Sequence, residues 1–290
     1  MSGFTLSAFG DEIDMDLNVQ MEVLGSHGIR YIEMRGVDGK GVEKLSSVEA
    51  EEIKRRMDDR GFKVSCIGSP IGKVHFADDF AAHLELFRHV LSNARVLDTR
   101  FIRLFSFYYP EGSDPSFYKE EVISRLGEMT LLAADADVML LHENEKHIYG
   151  DTPERCLDIL EGVASPFLQA VFDPANFLQC GVKTYPKAFR QLKKYIKYLH
   201  IKDALIETGS VVPAGYGDGQ ISEILAELEH EGFEGFLSIE PHLGYFEGLE
   251  KLQKDIDIMK IKSGGRESFA VAVNALKALL GGSGCTEVVK

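Results

Sequence analysis

The chain has 290 residues, 44% of them hydrophobic and 27% charged, which is ample for a sizeable core in an ordinary globular protein. Its 46 acidic and 32 basic residues leave a formal net charge of −14, and such an acidic surface opposes tracking of nucleic-acid backbone or of an anionic membrane face. No apolar run approaches bilayer-crossing length and the first basic residue is Arg30, so neither a membrane span nor a signal peptide is expected. Four cysteines (Cys66, Cys156, Cys180, Cys285) lack any CxxC or metal-finger spacing and read as reduced thiols. The expectation is a cytoplasmic protein with a small-molecule partner, no nucleic acid and no membrane.

Apolar runs predict strands over 4–9, 29–34, 62–68, 100–107, 137–143, 168–173, 196–201 and 233–240. Amphipathic segments fill the gaps between them. Ser46-Ser47-Val48-Glu49 has the form of a capping box and opens a helix that stops near Gly61. The segment 81–97 repeats its apolar residues at helical spacing, and Thr152-Pro153-Glu154 supplies a cap, an N1 proline and an early acid. The junctions SHG, DRG and HEG place a glycine between a helix and the following strand. The glycine-rich stretch 204–220 reads as a flexible turn or lid, 265–280 as a closing helix, and 281–290 as a flexible tail. Eight strand–helix units without a linker predict an α/β fold, a single-domain (β/α)8 TIM barrel spanning 1–290.

Four successive strand-like runs end in a residue able to ligate a divalent cation: Glu143 in VMLLHE, Asp173 in QAVFD, His200 in YIKYLH and Glu240 in FLSIE. In a barrel the C-terminal strand ends share one mouth, so residues about a hundred positions apart meet there. Taken singly, each has an ordinary explanation as a cap, a salt-bridge partner or a satisfied strand-end histidine. Four consecutive strand ends in register favour a joint metal site. Three carboxylates and one imidazole suit Mn²⁺ or Mg²⁺ and also accept Co²⁺ or Zn²⁺. Such an ion polarises a carbonyl and its neighbouring hydroxyl, and a carboxylate on either side serves as base or acid for the carbon-bound proton.

The stretches LLHENEKHIYGDTPE, VFDPANF, YLHIKD and LSIEPHLGYFEG resemble the sugar phosphate isomerase/epimerase superfamily, with its xylose isomerase-like TIM barrel, over nearly the whole length. The resemblance implies one divalent metal held by Glu143, Asp173, His200 and Glu240, with Glu143 and Glu240 as the catalytic acid/base pair. It implies a carbohydrate substrate, turned over by isomerisation or epimerisation through an enediolate, and an enzyme that is commonly a homo-oligomer. Ketohexose 3-epimerases of the superfamily usually carry a histidine where this chain has Asn176. They also carry an arginine several residues beyond the metal histidine, where this chain reads HIKDALIE. Lys202 is no bidentate arginine clamp, so the segment points away from a plain ketohexose epimerase.

Lys202, Asn176, Arg35, Arg103 and His242 are candidates for substrate binding by position, with salt bridging as the competing role for the arginines and His242. The alternative activity is a metal-dependent lyase or dehydratase acting on a keto-sugar, an inosose or a dehydroshikimate-like compound. A DNA-repair endonuclease on this barrel uses several zinc ions and more histidines, which the nine scattered histidines here do not provide.

Overall fold

A computed structural model describes residues 3–243 and 265–282. Eight parallel strands close into a barrel: β1 (Gly3–Phe9), β2 (Tyr31–Met34), β3 (Lys63–Gly68), β4 (Phe101–Leu104), β5 (Met139–Glu143), β6 (Leu168–Phe172), β7 (Ile196–Ile201) and β8 (Glu234–Ile239). Each strand neighbours the next in sequence, and β1 closes the ring against β8 from Gly3↔Glu234 to Ala8↔Ile239. All eight expected strands are present. The fourth is shorter than its apolar run because the chain leaves the ladder after Leu104. The Phe105 and Phe107 amides donate instead to Ile71 and Gly72 carbonyls, at 2.8 and 2.9 Å.

The surrounding helices are α1 (Leu17–Ser26), α2 (Ser47–Asp58), α3 (Phe80–Val96), α4 (Lys119–Asp135), α5 (Pro153–Val163), α6 (Pro174–Gln179), α7 (Phe189–Leu192), α8 (Ile221–His230) and α9 (Arg266–Gly282). Their starts follow local chemistry. Ser46 and Glu49 form a reciprocal capping box on α2, and Thr152 caps α5 ahead of Pro153. Gly28, Gly61 and Gly232 all take positive φ at helix-to-strand junctions, while Asp98 and Asp137 do the same before β4 and β5. The helix expected at 265–280 is α9; the tail beyond it, 283–290, lies outside the described residues. No helix among the described residues is long and apolar enough to cross a membrane.

Two cores result. The larger lies between strands and helices; the smaller fills the barrel, where Cys66, Leu141, Val171 and Tyr198 pack with Phe101, Met139 and Phe236. Strand periodicity makes this arrangement necessary. Met139, Leu141 and Glu143 share one face, as do Tyr198, His200 and Lys202, and Phe236, Ser238 and Glu240. An apolar floor at the lower positions therefore dictates a polar layer two residues further on. Between floor and site run Ser7, Ser65 and Tyr198, linked by hydroxyl contacts of 2.6 and 2.9 Å.

The 204–220 segment is more organised than a glycine-rich turn. The buried Asp203 carboxylate accepts from the amides of Gly215, Gly217 and Gly219 at 2.9, 3.1 and 2.9 Å, winding the loop around one side chain. Asp203–Ala204 also pairs antiparallel with Val211–Val212.

Candidate metal centre

The C-terminal ends of β5 to β8 bring Glu143, Asp173, His200 and Glu240 together, each offering an atom within 4.8 Å of the others. All four are buried. His200 lies at the centre: its Nδ1 is 2.9 Å from Glu143 Oε1, 3.4 Å from Glu240 Oε2 and 3.7 Å from Asp173 Oδ2. Its Nε2 faces the other way, 3.2 Å from Glu33 on β2. Donation from Nε2–H to Glu33 turns Nδ1 toward the three carboxylates, where it donates to Glu143 while protonated and offers its lone pair once that proton leaves.

Asp173 combines the two roles that its sequence position suggested. Oδ1 caps α6 by accepting from the Asn176 amide at 2.9 Å, and this fixes Oδ2 toward the cluster. Asn144 holds the same residue from behind, accepting from Asp173 N–H and donating to Asp173 O at 2.9 Å each. Buried Oδ2 makes no hydrogen bond, although the Lys202 ammonium lies 2.9 Å away as an ion pair. A carboxylate oxygen aimed into the cluster beside two further carboxylates and an imidazole completes a donor set that suits a hard divalent cation.

The surrounding charges agree. Asp11, Glu12, Glu33, Glu143, Asp173 and Glu240 are buried carboxylates, faced by buried Arg103 and Lys202 and the largely buried Arg35. Burial raises Glu12 to about 8, outweighing the Arg35 guanidinium beside it. Burial likewise opposes ionisation of Glu143, yet His200 and Arg103 bring it down to about 2. Glu240 is held well below the ordinary carboxylate range, burial being overcome by Lys202 and His242. Burial alone would make His200 less basic, but Glu143 and Glu33 hold it well above an ordinary imidazole. A cation binding at Nδ1 therefore displaces a proton.

The candidate substrate residues surround this cluster. Lys202 Nζ is 2.9 Å from both Asp173 Oδ2 and Glu240 Oε2. Asn176 Nδ2 donates to Glu143 Oε1 at 3.1 Å, and Arg103 Nε lies 3.2 Å from Glu143 Oε2. Arg35 bridges Asp11, Glu12 and Glu240. The His242 amide donates to Glu12 Oε2 at 2.7 Å, with its ring 3.4 Å from Glu240. These five residues open with Glu143 and Glu240 onto one tight cavity of about 20 Å³, room for little more than an ion or a water molecule.

The sequence pattern does not single out Glu33, which supports His200 from behind, or Lys73, Glu145 and Lys146, which line the same cavity. The signal for Glu33 was a lone carboxylate inside an apolar strand run.

Among curated proteins no sequence matches the chain. Solved structures share its fold at low identity. A D-tagatose 3-epimerase-like protein superposes with a TM-score of 0.75 at 18% identity, covering 97% of this chain and 98% of its own. The probable 3-DHS dehydratase AsbF of Bacillus anthracis gives 0.72 at 18%, covering 94% and 98%. The IOLI protein with a binding zinc atom gives 0.73 at 17%, covering 96% and 99%. The sequence profile of the xylose isomerase-like TIM barrels matches residues 21–262, and the chain belongs to that family.

Proposed function

We propose that the protein is a divalent-metal-dependent isomerase or epimerase of a sugar or sugar derivative, with Glu143 and Glu240 as its acid/base pair. The reading is carried by one observation: two buried glutamates open onto the same cavity from either side of His200 and Asp173. Glu143, Asp173, His200 and Glu240 would hold the ion. Bound there, a divalent cation supplies Lewis acidity to a carbonyl and its neighbouring hydroxyl, acidifying the hydrogen on the carbon between them.

The remaining steps belong to the chain. Glu240, kept ionised by Lys202 and His242, accepts that hydrogen as a proton. Glu143, itself ionised, takes the proton of the neighbouring hydroxyl and delivers it to the adjacent carbon, or to the opposite face of the same carbon. Glu240 then passes its proton to the oxygen left as alkoxide. Lys202 and Arg103 offset the negative charge of the resulting enediolate. Asn176 holds the Glu143 carboxylate in place.

Incubation in deuterated water with a panel of ketoses and keto-polyols tests the reading. Label should enter the recovered compound without loss of mass otherwise, and Glu240→Gln should lower incorporation by about a thousandfold or more, consistent with removal of an essential base. Turnover unaffected by both Glu240→Gln and Glu143→Gln would reject it.

A second reading is a dehydratase, and Lys202 favours it. An ammonium beside Glu240 is placed to protonate a hydroxide leaving from the carbon next to the carbanion. The same incubation separates the two, since a dehydratase product has lost water.

A further inference from the structure

We propose that the compound turned over in this barrel carries an oxyanion, a carboxylate or a phosphate, and that Lys146 receives it. This rests on the enolising reading above and narrows its substrate class from neutral sugars to anionic polyhydroxy ketones.

The cavity onto which Glu143 and Glu240 open is lined by cationic Arg35, Lys73, Arg103, Lys146 and Lys202, against Glu143, Glu145 and Glu240. Four of the five cations have carboxylate partners. Arg35 pairs with Asp11, Glu12 and Glu240, Arg103 with Glu143, Lys202 with Asp173 and Glu240, and Lys73 with Glu145 at 3.0 Å.

Lys146 differs, for its ammonium forms no ion pair among the described residues. Its neighbour Glu145 is already committed. Oε2 faces the Lys73 ammonium and Oε1 accepts the Lys146 backbone amide at 2.9 Å. That shared glutamate brings Lys73 and Lys146 to one corner of the cavity. Lys73 is fixed there, its Nζ 4.2 Å from the centroid of Phe105, with the Arg103 guanidinium 4.5 Å from the same ring. Lys146 is a partly buried residue of the cavity wall, and a bound anion compensates its ammonium where a neutral hydroxyl does so only weakly. Occupation of the metal site acts in the same direction, because a divalent ion offsets part of the negative charge of Glu143, Asp173 and Glu240.

The test is calorimetric binding to the manganese-loaded protein with two matched pairs, D-gluconate against D-glucitol and D-ribulose 5-phosphate against D-ribulose. In one pair the anion should bind about tenfold or more tightly than its neutral twin, as charge-assisted hydrogen bonds require. The pair that shows the margin identifies carboxylate or phosphate as the source. Lys146→Gln should shrink that margin to about twofold with the melting midpoint unchanged. Equal affinity within both pairs, no binding by any member, or a margin that survives Lys146→Gln overturns the proposal, the last because the anion is then held by groups other than Lys146. Retention of one equivalent of manganese alongside any of these failures removes this inference and leaves the enolising reading standing.

Discussion

Replacing Glu33 by glutamine tests whether His200 is set for metal binding by the carboxylate behind it. Both Glu33 oxygens approach His200 Nε2 at 3.2 Å, and neither side chain is exposed to solvent. Glutamine keeps the volume and an accepting oxygen, so the ring stays in place and the charge is lost. Partners of this kind change metal affinity about 10–100-fold, equivalent to roughly 1.4–2.7 kcal/mol. The loss has a pH signature. Although burial opposes its protonation, His200 is held well above an ordinary imidazole, Glu33 being the second cause after Glu143. Removing Glu33 weakens the intrinsic metal bond and also the proton that competes with it. The affinity loss should therefore be largest on the alkaline side of the raised His200 titration, and should shrink as pH falls through it, where relief from the proton offsets it. Manganese titration calorimetry across that range, with melting midpoints as a control, measures both. An affinity within about twofold of wild type at every pH, or a loss that does not vary with pH, refutes the reasoning.

Three further outcomes follow from the scaffold. Gly72 has φ +87°, and an added Cβ would lie 2.1 Å from the Phe105 carbonyl oxygen, so Gly72→Ala should destabilise by about 2 kcal/mol or more in denaturant titration. Asp203→Asn replaces an acceptor of three loop amides with a group that also donates, and should speed amide exchange at Gly215, Gly217 and Gly219 by about tenfold or more. Burial lowers His142 to about 4, Glu143 opposing it weakly. The unfolded chain then binds a proton that the folded one refuses, so stability is full above pH 6.5 and is lost as pH falls towards about 4. The gap is worth roughly 3 kcal/mol at 1.36 kcal/mol per pH unit. Denaturation midpoints should fall with that slope in wild type, and the fall should be smaller by that amount in His142→Gln, buried His242 and His83 keeping their own share.

The barrel was legible because its strands are apolar runs closed by punctuation that local chemistry enforces, such as the Ser46 capping box and the glycines before β2, β3 and β8. The four-residue cluster was legible for the same reason, since period-two alternation puts Glu143 above Leu141 and His200 above Tyr198. Contacts across the barrel were not. Glu33 meets His200 over 167 positions, a pairing that no local pattern encodes. The β4 boundary was misread because Phe105 and Phe107 continue an aromatic run while their amides turn to the 71–74 loop. Asp203 stood out as part of HIKD, yet its carboxylate organises a loop, and only the fold shows those glycine amides converging on it.

The central claim is that Glu143, Asp173, His200 and Glu240 hold one divalent ion. Anomalous scattering at the manganese edge from crystals of the loaded protein addresses it directly. A single strong peak should lie among the three carboxylates and His200 Nδ1, with Nε2 still on Glu33 and the peak lost in Asp173→Asn. A peak elsewhere, or none between those four side chains at saturating manganese, contradicts it.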